Sequence, residues 1–209
     1  MKNKKNKGFT LAEAVITVGI VGVLGAFVMP TLINNYQKKA FAVQTRKFIV
    51  ELESATERLM IEEDKKNFNK TSIFTDNEKL KTFLTSKFDA KLGNGFYQGK
   101  YKTLNGKLNS SMGDSCARSS SGAPVILKNG ITLCVGKITT ANPYMAVSID
   151  VNGEKGPNII GRDYFSFYLL NDSGKVTKPN QQTTLENCYK GTANSCINVL
   201  RQNNWKMDY

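Results

Sequence analysis

The sequence predicts an α+β fold: a long N-terminal helix, membrane-spanning in its first half, packed on a small antiparallel β-sheet domain. Three observations carry this expectation. Residues 14–37 contain no charged side chain, and Leu11 to Met29 are almost wholly apolar. From Asn34 to about Asp64 apolar residues recur at helical spacing, and from Pro124 onward the pattern changes to short β-rich runs separated by turn residues.

The first element is long enough to cross a bilayer. A helix rises about 1.5 Å per residue, so some 20 apolar residues span a hydrocarbon core of roughly 30 Å. A secretory signal has an apolar stretch of only about 7–15 residues followed by a small-x-small cleavage site, and this run fits neither feature. Lys2, Lys4, Lys5 and Lys7 precede it. Such lysines hold their end in the cytoplasm, which predicts a single pass through the cytoplasmic membrane with the C-terminal domain outside. Glu13 stands at the mouth of the apolar span, where a carboxylate costs free energy and usually has a partner or a task. Proline lacks an N–H, so Pro30 cannot bond the Ala26 carbonyl, and the helix is expected to kink or loosen there. Gly19, Gly22 and Gly25 weaken the same stretch and let another helix approach closely.

The second element continues the helix as an amphipathic one. Phe41, Phe48, Leu52, Ala55 and Leu59 recur at about 3.5 residues, with Ile49 and Met60 beside them. Lys38, Lys39, Arg46, Glu53, Glu57 and Glu62 occupy other faces. Such a stripe packs on a core, and any part left uncovered would face other subunits.

Residues 65–122 are the least regular. Lys79 to Phe88 suits a short helix. The run from Gly93 to Lys100 has glycines and a lysine but neither G-x-G-x-x-G nor a Walker spacing, so it reads as a loop. Ser119 to Gly122 reads as another. Beyond Pro124, Val125–Leu127 and Ile131–Val135 flank Lys128-Asn129-Gly130, a strong hairpin signal. Tyr144–Val151 and Tyr164–Leu170 complete a sheet of about four strands, and Asp172-Ser173-Gly174 marks a further turn.

Charge and chemistry narrow the function. The formal net charge is +12, and removing the four N-terminal lysines leaves +8 on Gly8 to Tyr209. That excess is spread out and reads first as a solvated surface. It also biases encounter toward polyanions such as DNA or anionic surface polymers. The chain has no histidine, and no clustered carboxylates or Ser/Lys pair stand out, so an enzyme is not expected. All four cysteines lie after residue 115 without a C-x-x-C, which argues for disulfides in an oxidising compartment rather than zinc.

The junction Lys7-Gly8-Phe9-Thr10-Leu11-Ala12-Glu13 resembles the processing and methylation motif of type IV prepilins and type II secretion pseudopilins. The resemblance implies cleavage by prepilin peptidase between Gly8 and Phe9, then N-methylation of Phe9. Residues 1–8 would be a cytoplasmic leader, 9–34 the transmembrane and filament-core helix, 35–64 its amphipathic continuation, and 65–209 the globular domain. It implies that Glu13 pairs with a neighbouring subunit's N-terminal amine during assembly and that the helix loosens around Pro30 in a filament. The implied partners are other pilin subunits, the prepilin peptidase, the filament assembly platform and the membrane. A competence pilin that binds DNA and a signal-anchored adhesin or binding domain that never polymerises are the rival readings.

Two further expectations lean on the same resemblance. The segment with Cys188 and Cys196 looks like the disulfide-closed tail of some pilins. Four cysteines allow three pairings, proximity favours Cys188–Cys196 and Cys116–Cys134, and a reduced buried set is the alternative. Asp150, Asn152, Glu154 and Asp163 are oxygen ligands around a glycine turn that could hold Ca²⁺, as the calcium loop of major pseudopilins does. The spacing departs from an EF-hand, Lys155 and Arg162 oppose a cation, and turn chemistry explains Asn-Gly and Gly-Pro without metal.

Overall fold

A computed structural model describes residues 8–93, 101–109, 122–138, 144–153, 155–177 and 184–209. The chain divides into two compact units, Met1–Lys38 and Lys39–Tyr209. Helix α1 spans Leu11–Glu62 with Pro30 inside it, so the proline does not end the helix. In the first unit α1 is mostly apolar and largely exposed, with Leu11, Val15, Ile20, Phe27 and Leu32, and Phe9 just before it, all open to the surroundings. It is long and apolar enough to cross a membrane.

In the second unit α1 buries Phe41, Ala42, Thr45, Phe48, Ile49, Leu52, Thr56 and Leu59. These positions share one side of a 3.6-residue helix. Ala55 and Met60, expected on the stripe, are only partly buried at its margin. The two threonines sit on the apolar face because their hydroxyls donate to backbone carbonyls: Thr45 to Phe41 at 2.8 Å, and Thr56 to Glu53 at 2.9 Å and Gly174 at 3.2 Å. Asp64 takes a left-handed conformation (φ 52°) just past the helix end. Its N–H donates to Ile61 O and that of Lys65 to Met60 O, the Schellman arrangement usually built on glycine.

A 3-10 turn (Phe68–Lys70) and helices α2 (Ser72–Thr75) and α3 (Asn77–Lys87) follow. The α3 helix matches the expected one and is capped by Asp76, which accepts from the N–H groups of Glu78 and Lys79. The sheet is an antiparallel meander of β1 (Ala90–Leu92), β2 (Ala123–Leu127), β3 (Thr132–Ile138), β4 (Tyr144–Asp150) and β5 (Tyr164–Leu169) in that order. It therefore has five strands where about four were expected, the addition being the three-residue edge strand β1. Gly130, at φ +88°, closes the Lys128-Asn129-Gly130 hairpin as its Asn-Gly signal requires.

Register explains the core. Val125, Leu133, Ile149 and Phe165 stand opposite one another across β2 to β5, as do Ala123, Val135, Val147 and Phe167 one step along. All eight are buried and join the buried side of α1 in one hydrophobic cluster. The other face is also buried near its centre, at Cys134, Ser148 and Asp150. This is why β4 is buried at nearly every position instead of alternating.

After β5 the expected tail is in fact two helices, α4 (Leu185–Tyr189) and α5 (Ala193–Gln202). Ala193, Cys196, Ile197 and Leu200 of α5 are buried, and Met207, Trp205 and Tyr209 pack on the same core.

Candidate processing and assembly site

The site is built at the start of α1. Gly8 has no neighbouring atom within 4 Å of where a side chain would begin, and Phe9 is 85% exposed. A bare glycine before an exposed aromatic leaves the Gly8–Phe9 peptide bond sterically open. Helix α1 begins two residues later, at Leu11.

Thr10 and Glu13 close that helix end reciprocally. The Glu13 N–H donates to Thr10 Oγ1 at 3.2 Å. Glu13 Oε2 accepts from the Thr10 N–H at 2.9 Å and the Thr10 hydroxyl at 2.8 Å. This is a capping box, in which two orphan N–H groups of the first turn are satisfied by a Thr-x-x-Glu pair. Glu13, expected to await a neighbouring subunit, is thus already held within its own chain. Thr10 was not singled out from the sequence, although the Thr-x-x-Glu spacing before an apolar run is the signal for it. Thr10→Ala should remove about 1 kcal/mol of capping. The check is amide hydrogen exchange over Leu11–Ala14 in detergent, which should accelerate; unchanged exchange would show that the box does not hold the helix end.

Residues 3–29 match a family model described as the prokaryotic N-terminal methylation motif. The chain carries the type IV pilin and pseudopilin signature. The match takes in Gly8, Phe9 and Glu13. No curated protein and no solved structure matches this pilin-like chain. The signature points to a structural subunit rather than a catalyst.

The remaining candidate residues lie in the second unit of the pilin-like chain. Cys188 and Cys196 form a disulfide with a Cα–Cα distance of 4.6 Å. Its sulfurs lie against Gly161, whose carbonyl also accepts from the Tyr209 hydroxyl at 3.0 Å. Cys134 is buried on β3, and its expected partner Cys116 lies outside the described residues.

Of the four candidate calcium ligands, Glu154 likewise lies outside the described residues. Asp150 and Asp163 are completely buried. Asp150 accepts from the Tyr101 hydroxyl at 2.6 Å and the Asn152 N–H at 3.2 Å. Asp163 accepts from the N–H groups of Asn158 at 2.7 Å and Ile159 at 2.6 Å. Asn152 turns its amide nitrogen to the carbonyls of Lys155 and Gly156. Among the described residues no three His, Cys, Asp or Glu side chains gather as metal ligands; these carboxylates organise the loop itself. Burial pushes Asp150 up to about 7 and Asp163 in the same direction, because a charged carboxylate loses its hydration there.

Proposed function

We propose that this chain is a prepilin-type subunit, cut between Gly8 and Phe9, N-methylated at Phe9 and polymerised into a type IV pilus or type II secretion-like filament. The observation that carries the reading is the methylation motif on residues 3–29, set at the head of a 52-residue helix whose first part is apolar and exposed. Its partners are further pilin subunits, prepilin peptidase and the assembly platform. The lysines before the span orient the C-terminal domain outward, and the Cys188–Cys196 disulfide suits an oxidising exterior. Mass spectrometry of the membrane-extracted chain should find Phe9 as an N-methylated first residue; an intact Met1 in cells that possess the peptidase overturns the reading.

Glu13 is the residue on which polymerisation turns. A carboxylate carried into an apolar environment without a countercharge is strongly disfavoured, and the new Phe9 amine of an adjacent subunit supplies that countercharge. Glu13→Ala should be processed and inserted normally yet yield at least about tenfold fewer sheared filaments, a loss that corresponds to about 1.4 kcal/mol or more. Undiminished filaments would make Glu13 an interfacial charge only. A signal-anchored binding domain that never polymerises predicts no filaments from either chain.

A further inference from the structure

Four Asn-Gly pairs stand in the sequence: Asn94-Gly95, Asn105-Gly106, Asn129-Gly130 and Asn152-Gly153. The first lies outside the described residues. Chemically the pairs are alike. Glycine carries no Cβ to block the approach, so its backbone nitrogen can reach the amide carbon of the preceding asparagine side chain. What differs is how the fold holds each amide.

Asn152 is held most firmly. Its Nδ2 donates to the Lys155 carbonyl and to that of Gly156 at 2.9 Å. Gly153 is buried, with Gly130 O 2.7 Å from where a Cβ would stand, and its N–H is bound by the Asp150 carboxylate. Asn129 and Asn105 sit instead in two exposed turns with similar backbones. Gly130 has φ +88° and donates to Leu127 O at 2.9 Å, while Gly106 has φ +77° and donates to Thr103 O at 2.8 Å. Both glycines face open space. The asparagine side chains separate the two turns. Asn129 Oδ1 accepts from the Ile131 N–H at 3.2 Å, whereas Asn105 is exposed and its side chain makes no hydrogen bond among the described residues.

We propose that Asn105 is a self-modification site, at which the chain converts this amide into aspartate and isoaspartate. An exposed turn opens locally at little cost. The Gly106 backbone nitrogen, freed from Thr103 O, then attacks Asn105 Cγ and closes a succinimide ring. The Cγ–Nδ2 bond breaks, and Nδ2 leaves as ammonia with the proton that the Gly106 nitrogen gave up. Water then opens the ring. Cleavage at Cγ restores the chain with an aspartate side chain; cleavage at the Asn105 backbone carbonyl carbon leaves isoaspartate, with the chain routed through Cγ. Nothing is oxidised or reduced, and water is the one co-reactant.

The product places a carboxylate in Tyr101–Asn109, a stretch that otherwise bears Lys102 and Lys107 and no acid. Both lysines are exposed and make no ion pair among the described residues. Conversion therefore weakens the positive field of this turn. The reaction belongs to the turn itself and holds whether or not the chain polymerises.

The test is incubation of the full detergent-solubilised chain at mildly alkaline pH, where a backbone amide loses its proton more readily. Peptide mapping with mass spectrometry and isoaspartate detection follows each site over time. Asn105 should convert at least about tenfold faster than Asn129 or Asn152, a barrier difference of about 1.4 kcal/mol, with both products present. In the urea-unfolded chain the three rates should converge, because the fold no longer selects among them. Asn105→Gln should abolish conversion at this turn and leave the rates at Asn129 and Asn152 unchanged. The proposal is overturned if Asn129 or Asn152 converts as fast as Asn105 in the folded chain, or if the same gap persists in urea. Asn105 that stays intact in the folded chain while the unfolded chain reacts overturns it as well.

Discussion

Gly161→Ala should lose about 2–5 kcal/mol of stability, a large part of what holds a domain of this size. Two costs combine. The residue has φ +90°, a conformation that costs an L-residue roughly 1–2 kcal/mol. A methyl group there would also stand 2.7 Å from Cys196 Sγ and 2.8 Å from Cys188 Sγ, closer than atoms pack. Forcing such a group into a filled site costs about 1–3 kcal/mol. Neither sulfur can readily withdraw, because each is tied to the other and both cysteines are fully buried. The comparison is Gly106→Ala, where φ is +77° but nothing lies within 4 Å, so only the backbone cost applies. Urea unfolding of both variants separates the terms. Equal losses would show that contact with the disulfide contributes nothing.

Between about pH 4 and pH 7 the folded protein should lose stability as pH rises. Asp150 carries the effect: its carboxyl is pushed up to about 7 in the folded state by burial, the bond from the Tyr101 hydroxyl opposing that rise only in part and nearby Asp163 adding to it. In the unfolded chain it titrates near 4. A raised folded value means that stability is fully present below the unfolded value and is lost as pH passes through the folded one. Over that window the term amounts to about 4 kcal/mol at most, from about 1.36 kcal/mol per unit. Asp163 is displaced the same way and adds to the slope. Asp150→Asn keeps an acceptor for Tyr101 without a titrating proton, so its stability should change less between pH 5 and pH 8. If the wild type and the Asn variant show the same slope, Asp150 is not the titrating group.

The parts that sequence revealed are those where local chemistry and burial agree. Leu11–Met29 is apolar on every side, Phe41 to Leu59 keeps one helical period, and Asn129-Gly130 allows few backbone shapes. Where local signals were short or mixed, the fold was harder to read. The strand β1 is three residues with an exposed Lys91 and Leu92, and it exists because β2 offers an edge to pair with. The helix α5 does carry an apolar i, i+3, i+4, i+7 set in Ala193, Cys196, Ile197 and Leu200, but Asn194, Ser195 and Asn198 between them suggest a loop. Burial on the core outweighs that weak propensity. At the functional end, Glu13 was conspicuous because charge is rare in an apolar span. Thr10 was less so, because a threonine at a helix start stands out only when it is read together with the glutamate three residues on.

Those hydrogen bonds bear on how a subunit waits. A carboxylate that entered the bilayer bare would make the unassembled chain costly to store, and a stockpile in the membrane would drain toward aggregation or degradation. With both the backbone N–H and the hydroxyl of Thr10 directed at Glu13 Oε2, the solitary chain already satisfies much of that carboxylate. If Glu13 pairs with a neighbour's amine as proposed, joining a filament becomes an exchange of one set of donors for another. On the proposed reading, a subunit leaving the polymer finds the same donors waiting within its own chain.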